Sequence, residues 1–115
     1  MFPIKFEVKQ MEDITVLSIY GRMDSQTYVE IREKIMSIFL SGAKKILVDL
    51  GNVHEIVGSG WDALIHDGPG AKQTQADVRI CGMNPKVREM YDQVDFSSII
   101  TSAYATVEEA VKSFK

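Results

Sequence analysis

Serine, histidine and aspartate side chains cluster in the middle of this 115-residue chain, where they could support hydrolytic chemistry. The three residue types of a Ser-His-Asp triad occur in His54, Ser59, His66 and Asp67. A nucleophile elbow needs glycine two residues before and after the serine, but Val57 and Trp61 occupy those positions. Because a triad is defined by geometry that residue types alone do not establish, the sequence favours a protein that is not an enzyme.

Two further patterns could bind a metal ion or a phosphate group. Asp62 and His66 are four residues apart, but two ligands are too few for a structural metal site. A surface pair at helical spacing is the commoner explanation for such residues. Gly58-Ser59-Gly60 is not followed by the Gly-Lys-Ser/Thr sequence of a phosphate-binding P-loop. The sequence therefore predicts no metal and no cofactor.

The overall composition is that of an ordinary soluble globular protein, with 45% hydrophobic and 25% charged residues. A length of 115 residues predicts one domain spanning 1–115. The net charge of -3 argues against binding to nucleic acid or to an anionic membrane. There is no apolar run of about twenty residues, no secretory signal pattern, and only Cys81 as a thiol. These features predict a cytoplasmic protein without membrane insertion, in which Cys81 is a packing residue.

The apolar pattern alternates between strand and helix signatures along the chain. Strands are predicted at residues 4–8, 14–20, 46–50, 78–81 and 99–100. The first reads as a half-exposed edge strand, the second as a strand covered on both faces, and the third as a central parallel strand. Residues 51–60 are predicted to form a loop.

Helices are predicted between these strands. Thr27 and Glu30 form a capping box before an apolar stripe, and Gly42 suits the left-handed cap that ends that helix. A second helix is predicted around Trp61, and it should stop near Asp67 because Gly68-Pro69-Gly70 follows.

Two more helix starts are visible near the end of the chain. Asn84-Pro85 supplies an N-cap and a proline at the first helical position. Thr106 to Glu109 forms a second capping box before the last apolar stripe. The order ββαβαβαβα predicts an α/β fold with a mixed sheet of four to five strands and about four helices.

Several segments, in this order, resemble the STAS family, which includes bacterial anti-sigma factor antagonists and the cytosolic tails of sulfate transporters. Residues 21–24 match the family's Gly-x-x-Asp turn after the second strand. Residues 46–60 match its third strand and the loop that follows, and residues 78–85 match its fourth strand and the start of a helix. Residues 106–110 match its closing helix. The resemblance implies the STAS fold.

The resemblance also implies a phosphorylation loop, from which this chain departs. The family usually has Asp-Ser at the positions of Val57 and Gly58, and a partner kinase phosphorylates that serine. Glycine has no hydroxyl, so Gly58 cannot accept phosphate. Ser59, one position later, is the remaining candidate acceptor, although a helix N-cap is the simpler interpretation.

By this resemblance, the chain is expected to be a non-catalytic regulator that binds an anti-sigma factor or a related kinase-like ATPase in a partner-switching system. The alternative is a ligand-binding or scaffolding STAS subunit of a transporter or nucleotide-sensing complex. A homodimer is left open. Trp61 is either a core residue or an interface anchor. The predicted partner-binding residues are Asp24, Ser25, Gly58, Ser59, Gly60, Trp61 and Asp62.

Overall fold

A computed structural model describes residues 4–57, 77–92 and 100–114. Five strands form one mixed sheet in the order β1-β2-β3-β4-β5. β1 pairs antiparallel with β2, and every other neighbouring pair is parallel. The strands are β1 Lys5–Met11, β2 Ile14–Met23, β3 Lys45–Ile56, β4 Asp77–Cys81 and β5 Ile100–Tyr104. The predicted mixed α/β sheet is confirmed, with β1 at its edge and β3 at its centre.

Three helices lie within the described residues: α1 Tyr28–Leu40, α2 Pro85–Asp92 and α3 Val107–Ser113. The predicted helix around Trp61, and its stop near Asp67, fall outside these residues. Gly42 has a φ of 95° after α1, as expected for a left-handed cap. Asn84 caps α2, since its Oδ1 accepts from the Val87 amide at 2.8 Å. Thr106 caps α3 by accepting from the Glu109 amide at 3.1 Å.

Apolar side chains fill both faces of the sheet. Leu17 and Ile19 of β2 pack with Ile31 of α1 and Val87 of α2 on one face. The other face packs against α3 through Ile14, Val16, Leu47, Cys81, Ala110 and Phe114. Because β2 contributes to both cores, its nearly continuous apolar run is the expected pattern for a strand covered on both sides.

Two predictions about local structure are wrong. Thr27 is the N-cap residue of α1, but its side chain makes no capping hydrogen bond, because its hydroxyl accepts from the Asp24 amide and donates to the Arg22 carbonyl. Residues 51–56 are not loop, because β3 continues to Ile56. Two irregularities in the pairing, between Ser18 and Tyr20 and between Gly21 and Arg22, let β3 carry an extra residue at each. Such bulges tolerate the glycine and polar residues that made this segment read as loop.

Candidate functional site

The turn after β2 is organised around the carboxylate of Asp24. Its Oδ1 accepts from the Gln26 amide at 2.9 Å and the Thr27 amide at 3.1 Å. Thr27 Oγ1 accepts from the Asp24 amide at 3.0 Å and donates to the Arg22 carbonyl at 2.9 Å. An aspartate that accepts from amides two and three residues ahead closes a tight turn and favours the start of a helix. Asp24 therefore fixes the backbone that presents Ser25 and Gln26, which are both exposed.

A chain of alternating charges runs across the surface beside this turn. Arg22 contacts Asp24 with Nε to Oδ2 at 3.3 Å, and it contacts Glu55 with Nη2 to Oε1 at 3.5 Å. Lys86 of α2 extends the chain, with its Nζ 3.2 Å from Glu55 Oε2. The Arg22 and Lys86 side chains are 54% and 66% exposed. The carboxylates of Asp24 and Glu55 are 19% and 28% exposed. Because each cation remains solvated, we expect each pair to add only about 0–1 kcal/mol to stability, and the array forms a polar surface.

Val57 joins this surface to the segment that follows β3. Its amide donates to the Met23 carbonyl at 2.9 Å, which fixes the last described residue before position 58 against the end of β2. A shallow pocket of about 300 Å³ is lined by Arg22, Asp24, Ser25, Gln26 and Val57. A second pocket of about 190 Å³ borders it and is lined by Glu55, Ile56, Val57, Lys86 and Glu89. The Asp24-Ser25 turn and Val57, the residue that directly follows β3, therefore lie side by side.

Comparison with known proteins places this architecture in a family. The STAS domain family model matches residues 5–110. The chain belongs to the STAS domain family. The STAS domain is 21% identical over 112 residues to BtrV of Bordetella bronchiseptica, a protein named as an anti-sigma factor antagonist, with 97% of this chain and 96% of BtrV aligned.

Solved structures share the fold. The crystal structure of an anti-sigma factor antagonist from Mycobacterium paratuberculosis matches with a TM-score of 0.80 at 16% identity, covering 96% of this chain and 93% of that one. The phosphorylated form of the Bacillus cell fate determinant SpoIIAA matches with a TM-score of 0.68 at 17% identity, covering 96% and 100%. The five-stranded sheet of this STAS domain is thus a known arrangement.

Not all predicted site residues can be placed in the STAS domain. Asp24 and Ser25 lie at the surface just described, whereas Gly58, Ser59, Gly60, Trp61 and Asp62 fall outside the described residues. The same holds for His66 and Asp67, so neither the triad nor the Asp62–His66 metal pair is tested. His54 is exposed on β3. In the described part of the chain, no three His, Cys, Asp or Glu side chains group as metal ligands, and no helix is long and apolar enough to cross a membrane.

Asn84 has a role that sequence reasoning missed. Besides capping α2, its Nδ2 donates to the carbonyls of Val53 and His54, each at 3.2 Å. These carbonyls lie in the bulged part of β3. One side chain therefore ties the start of α2 to the strand that carries Glu55. The Asn-Pro pair signals the cap, but no local pattern signals the contact with a segment thirty residues earlier.

A second polar cluster lies on the α3 face and is structural. Asp49 Oδ1 accepts from the Gly51 amide at 2.9 Å, and Ser18 Oγ donates to Asp49 Oδ2 at 3.4 Å. Gly82 packs against this carboxylate with a φ of 78°, and a Cβ there would lie 2.9 Å from Asp49 Oδ1. Burial, and then the negative charge of Asp49, raise the pKa of the Cys81 thiol to about 12. A fully buried, protonated thiol is a poor nucleophile, in agreement with the predicted packing role.

Proposed function

We propose that this STAS domain is a non-catalytic regulator that acts in the cytoplasm as an anti-sigma factor antagonist. Its partner in this proposal is an anti-sigma factor or a related kinase-like ATPase. Membership of the STAS family and the names of its relatives support this assignment. The observation that carries it is the surface at which Val57 meets the Asp24-Ser25 turn.

The physical character of this surface suits a protein partner better than a small ligand. The two adjoining pockets are shallow and open, whereas small-molecule sites usually bury most of their ligand in a cleft. The exposed cations of Arg22 and Lys86 flank the half-buried carboxylate of Glu55, so charges of opposite sign alternate along this surface. Charges of this kind fix the register of a protein interface and steer its encounter. The backbone beneath them is held by Asp24 and Asn84, so the surface is preorganised.

The position of Gly58 leads to a specific proposal about regulation. SpoIIAA is known in a phosphorylated form, and phosphate adds roughly -1.5 to -2 charges, which can repel or remodel a partner. Gly58 has no hydroxyl at the position where the family carries its acceptor. We therefore expect this chain to lack the usual off-switch and to bind its partner constitutively. Incubation with the cognate kinase followed by mass spectrometry tests this expectation, and stoichiometric phosphate on Ser59 would contradict it.

Binding to the cognate anti-sigma factor can be measured by titration calorimetry with one matched pair of variants. Ser25→Arg places a large cation within the proposed surface, and we expect it to weaken affinity at least about tenfold, or about 1.4 kcal/mol. Ser37→Arg makes the same change at an exposed position in the last turn of α1, at the end of the helix away from the Asp24-Ser25 turn, and should leave affinity unchanged. Equal affinity for both variants would place the interface elsewhere. Failure of the wild type to bind would instead favour a ligand-binding or scaffolding role.

A further inference from the structure

The edge strand β1 presents a backbone edge and a pattern of side chains that fit a second copy of themselves. Within the described residues, β1 has β2 as its only strand neighbour, so its other edge is open. Five of its seven residues are exposed, including Val8 at 46%. An open strand edge carries outward N–H and C=O groups that can pair with another chain. We propose that two copies of this protein associate through antiparallel pairing of β1 with β1, centred on Val8.

Symmetry restricts the registers that such a dimer can adopt. Two sheets that join edge to edge with antiparallel strands are related by a two-fold axis perpendicular to the sheet. Residues directly opposite each other point to the same face, so the axis must pass through a residue that faces its own copy. A register centred on Val8 pairs the whole of Lys5–Met11. It places Val8 opposite Val8, an apolar pair on the α1 face.

The charges on β1 select this register over its neighbours. Centred on Val8, Glu7 of each copy lies opposite Lys9 of the other, which gives two cross-strand pairs of opposite charge. Centring on Glu7 instead places it opposite its own copy and places Lys5 opposite Lys9. Centring on Lys9 makes that lysine face itself. Centring on Phe6 would restore opposite charges but would pair only residues 5–7 of each strand.

The fold holds one member of this charge pair in position. The Tyr20 hydroxyl donates to Glu7 Oε2 at 3.1 Å, on the same face of the sheet. Lysines on an edge strand usually oppose pairing with another chain, because they would lose hydration next to an apolar or cationic neighbour. In the Val8-centred register, Lys9 instead meets a carboxylate that is already oriented. A single paired strand buries a small area, so the dimer belongs to the weak, concentration-dependent class.

This assembly goes beyond the proposed partner binding and leaves that surface free. The axis perpendicular to the sheet turns the carboxyl ends of β2 and β3 in opposite directions in the two copies. The surface around Arg22, Ser25 and Val57 lies at those ends and not on the β1 edge. A dimer would therefore have one continuous ten-stranded sheet. Its two partner surfaces would lie at strand ends that point in opposite directions.

Charge exchange tests the proposal with the full chain, by sedimentation equilibrium from the micromolar to the millimolar range. Glu7→Lys and Lys9→Glu should each lower the association constant at least about tenfold, since each turns two attractive pairs into two repulsive ones. The double variant should dimerise like the wild type. An equimolar mixture of the two single variants should form a heterodimer, visible by native mass spectrometry, because both cross-strand pairs then become complementary.

Tyr20→Phe is the matched control for Glu7→Lys. It removes the same hydrogen bond within one chain but keeps the charges on β1, so it should still dimerise. A wild type that stays monomeric over the whole range would overturn the proposal. Single variants that dimerise as strongly as the wild type, or a mixture that gives no heterodimer, would also overturn it. Because Ser25→Arg leaves β1 untouched, loss of partner binding and loss of dimerisation can be told apart.

Discussion

Two arginines illustrate how the same side chain serves different ends in this STAS domain. Arg22 is 54% exposed and contacts Asp24 and Glu55 at the surface where partner binding is proposed. Arg79 of β4 is 15% exposed and contacts Asp77 with Nη2 to Oδ2 at 2.8 Å. Both form ion pairs with neighbouring carboxylates. The difference lies in how much water still reaches each guanidinium.

Arg79 fastens the last helix to the sheet. Its Nη1 donates to the Ser113 carbonyl at 2.8 Å and to Ser113 Oγ at 2.7 Å. The guanidinium also lies over the Phe114 ring, 4.3 Å from its centroid. The end of a helix leaves carbonyls without helical partners, so a charged donor at Ser113 satisfies a group that would otherwise need water. The Arg79 guanidinium is thus directed inwards, whereas that of Arg22 is open to solvent.

The largest expected effect is the loss of stability on removing the inward-facing arginine. Arg79→Ala should lower the free energy of unfolding by about 2–3 kcal/mol, because hydrogen bonds to or from charged groups are worth about 1.5–3 kcal/mol. Urea denaturation followed by circular dichroism measures this change. Arg88→Ala is the control, since Arg88 is 51% exposed and pairs with Asp92 one helical turn away. A loss no greater than that of the control would mean that Arg79 does not fasten α3.

For Arg22, the solvated arginine, we expect a smaller effect on stability than for Arg79 and a larger effect on partner binding. Arg22→Ala should change the free energy of unfolding by about 0–1 kcal/mol. In the proposed interface, the same change should weaken partner binding by more than about 1 kcal/mol, since arginine is enriched among residues that dominate interface energy. Denaturation and calorimetry on the same sample separate the two quantities. If Arg22→Ala lost much stability but kept its affinity for the partner, Arg22 would be a structural residue like Arg79.

The last prediction concerns Cys81, on the same face as Arg79, and its effect is confined to alkaline pH. The pKa of its thiol is raised from 9.0 to about 12, so its neutral form stabilises the fold fully below pH 9.0, and this contribution is lost as pH rises towards 12. The wild type should therefore lose stability between about pH 9 and 12 more steeply than Cys81→Ala, by at most about 1.4 kcal/mol per pH unit. Comparing the two proteins cancels the titration of tyrosines and lysines. Parallel pH profiles would contradict a buried, protonated thiol.

Local sequence signals correctly predicted the features that depend on one short segment, such as the starts of helices. Asn84-Pro85 and Thr106 predicted the starts of α2 and α3 correctly, because a cap depends on amides two or three residues away. At Thr27 the same reasoning located the start of α1 correctly but predicted a capping hydrogen bond that is not formed. The Thr27 hydroxyl contacts the Asp24 amide and the Arg22 carbonyl instead of the amides of α1.

The extent of β3 was missed for a different physical reason. Gly51 and Asn52 are poor strand formers, so the segment after Leu50 reads as loop. The ladder with β2 nevertheless continues through two bulges to Ile56, and Val53 and Ile56 are buried. Pairing and burial across the sheet outweigh local propensity, which is a weak guide in strands. As a result, Glu55 is held on a strand opposite Arg22, where the sequence predicted a loop.

The sequence by itself determined the alternation of strands and helices, the resemblance to the STAS family and the absence of a hydroxyl at Gly58. These depend on periodicity, on motif order and on the chemistry of one residue. Only the tertiary structure decided which arginine is solvated and which is enclosed. Arg22 and Arg79 each have an aspartate two residues away, so local sequence cannot separate them. Their tertiary neighbours set their exposure, and these come from segments about thirty residues away: Glu55 of β3 for Arg22, and Ser113 and Phe114 at the end of α3 for Arg79.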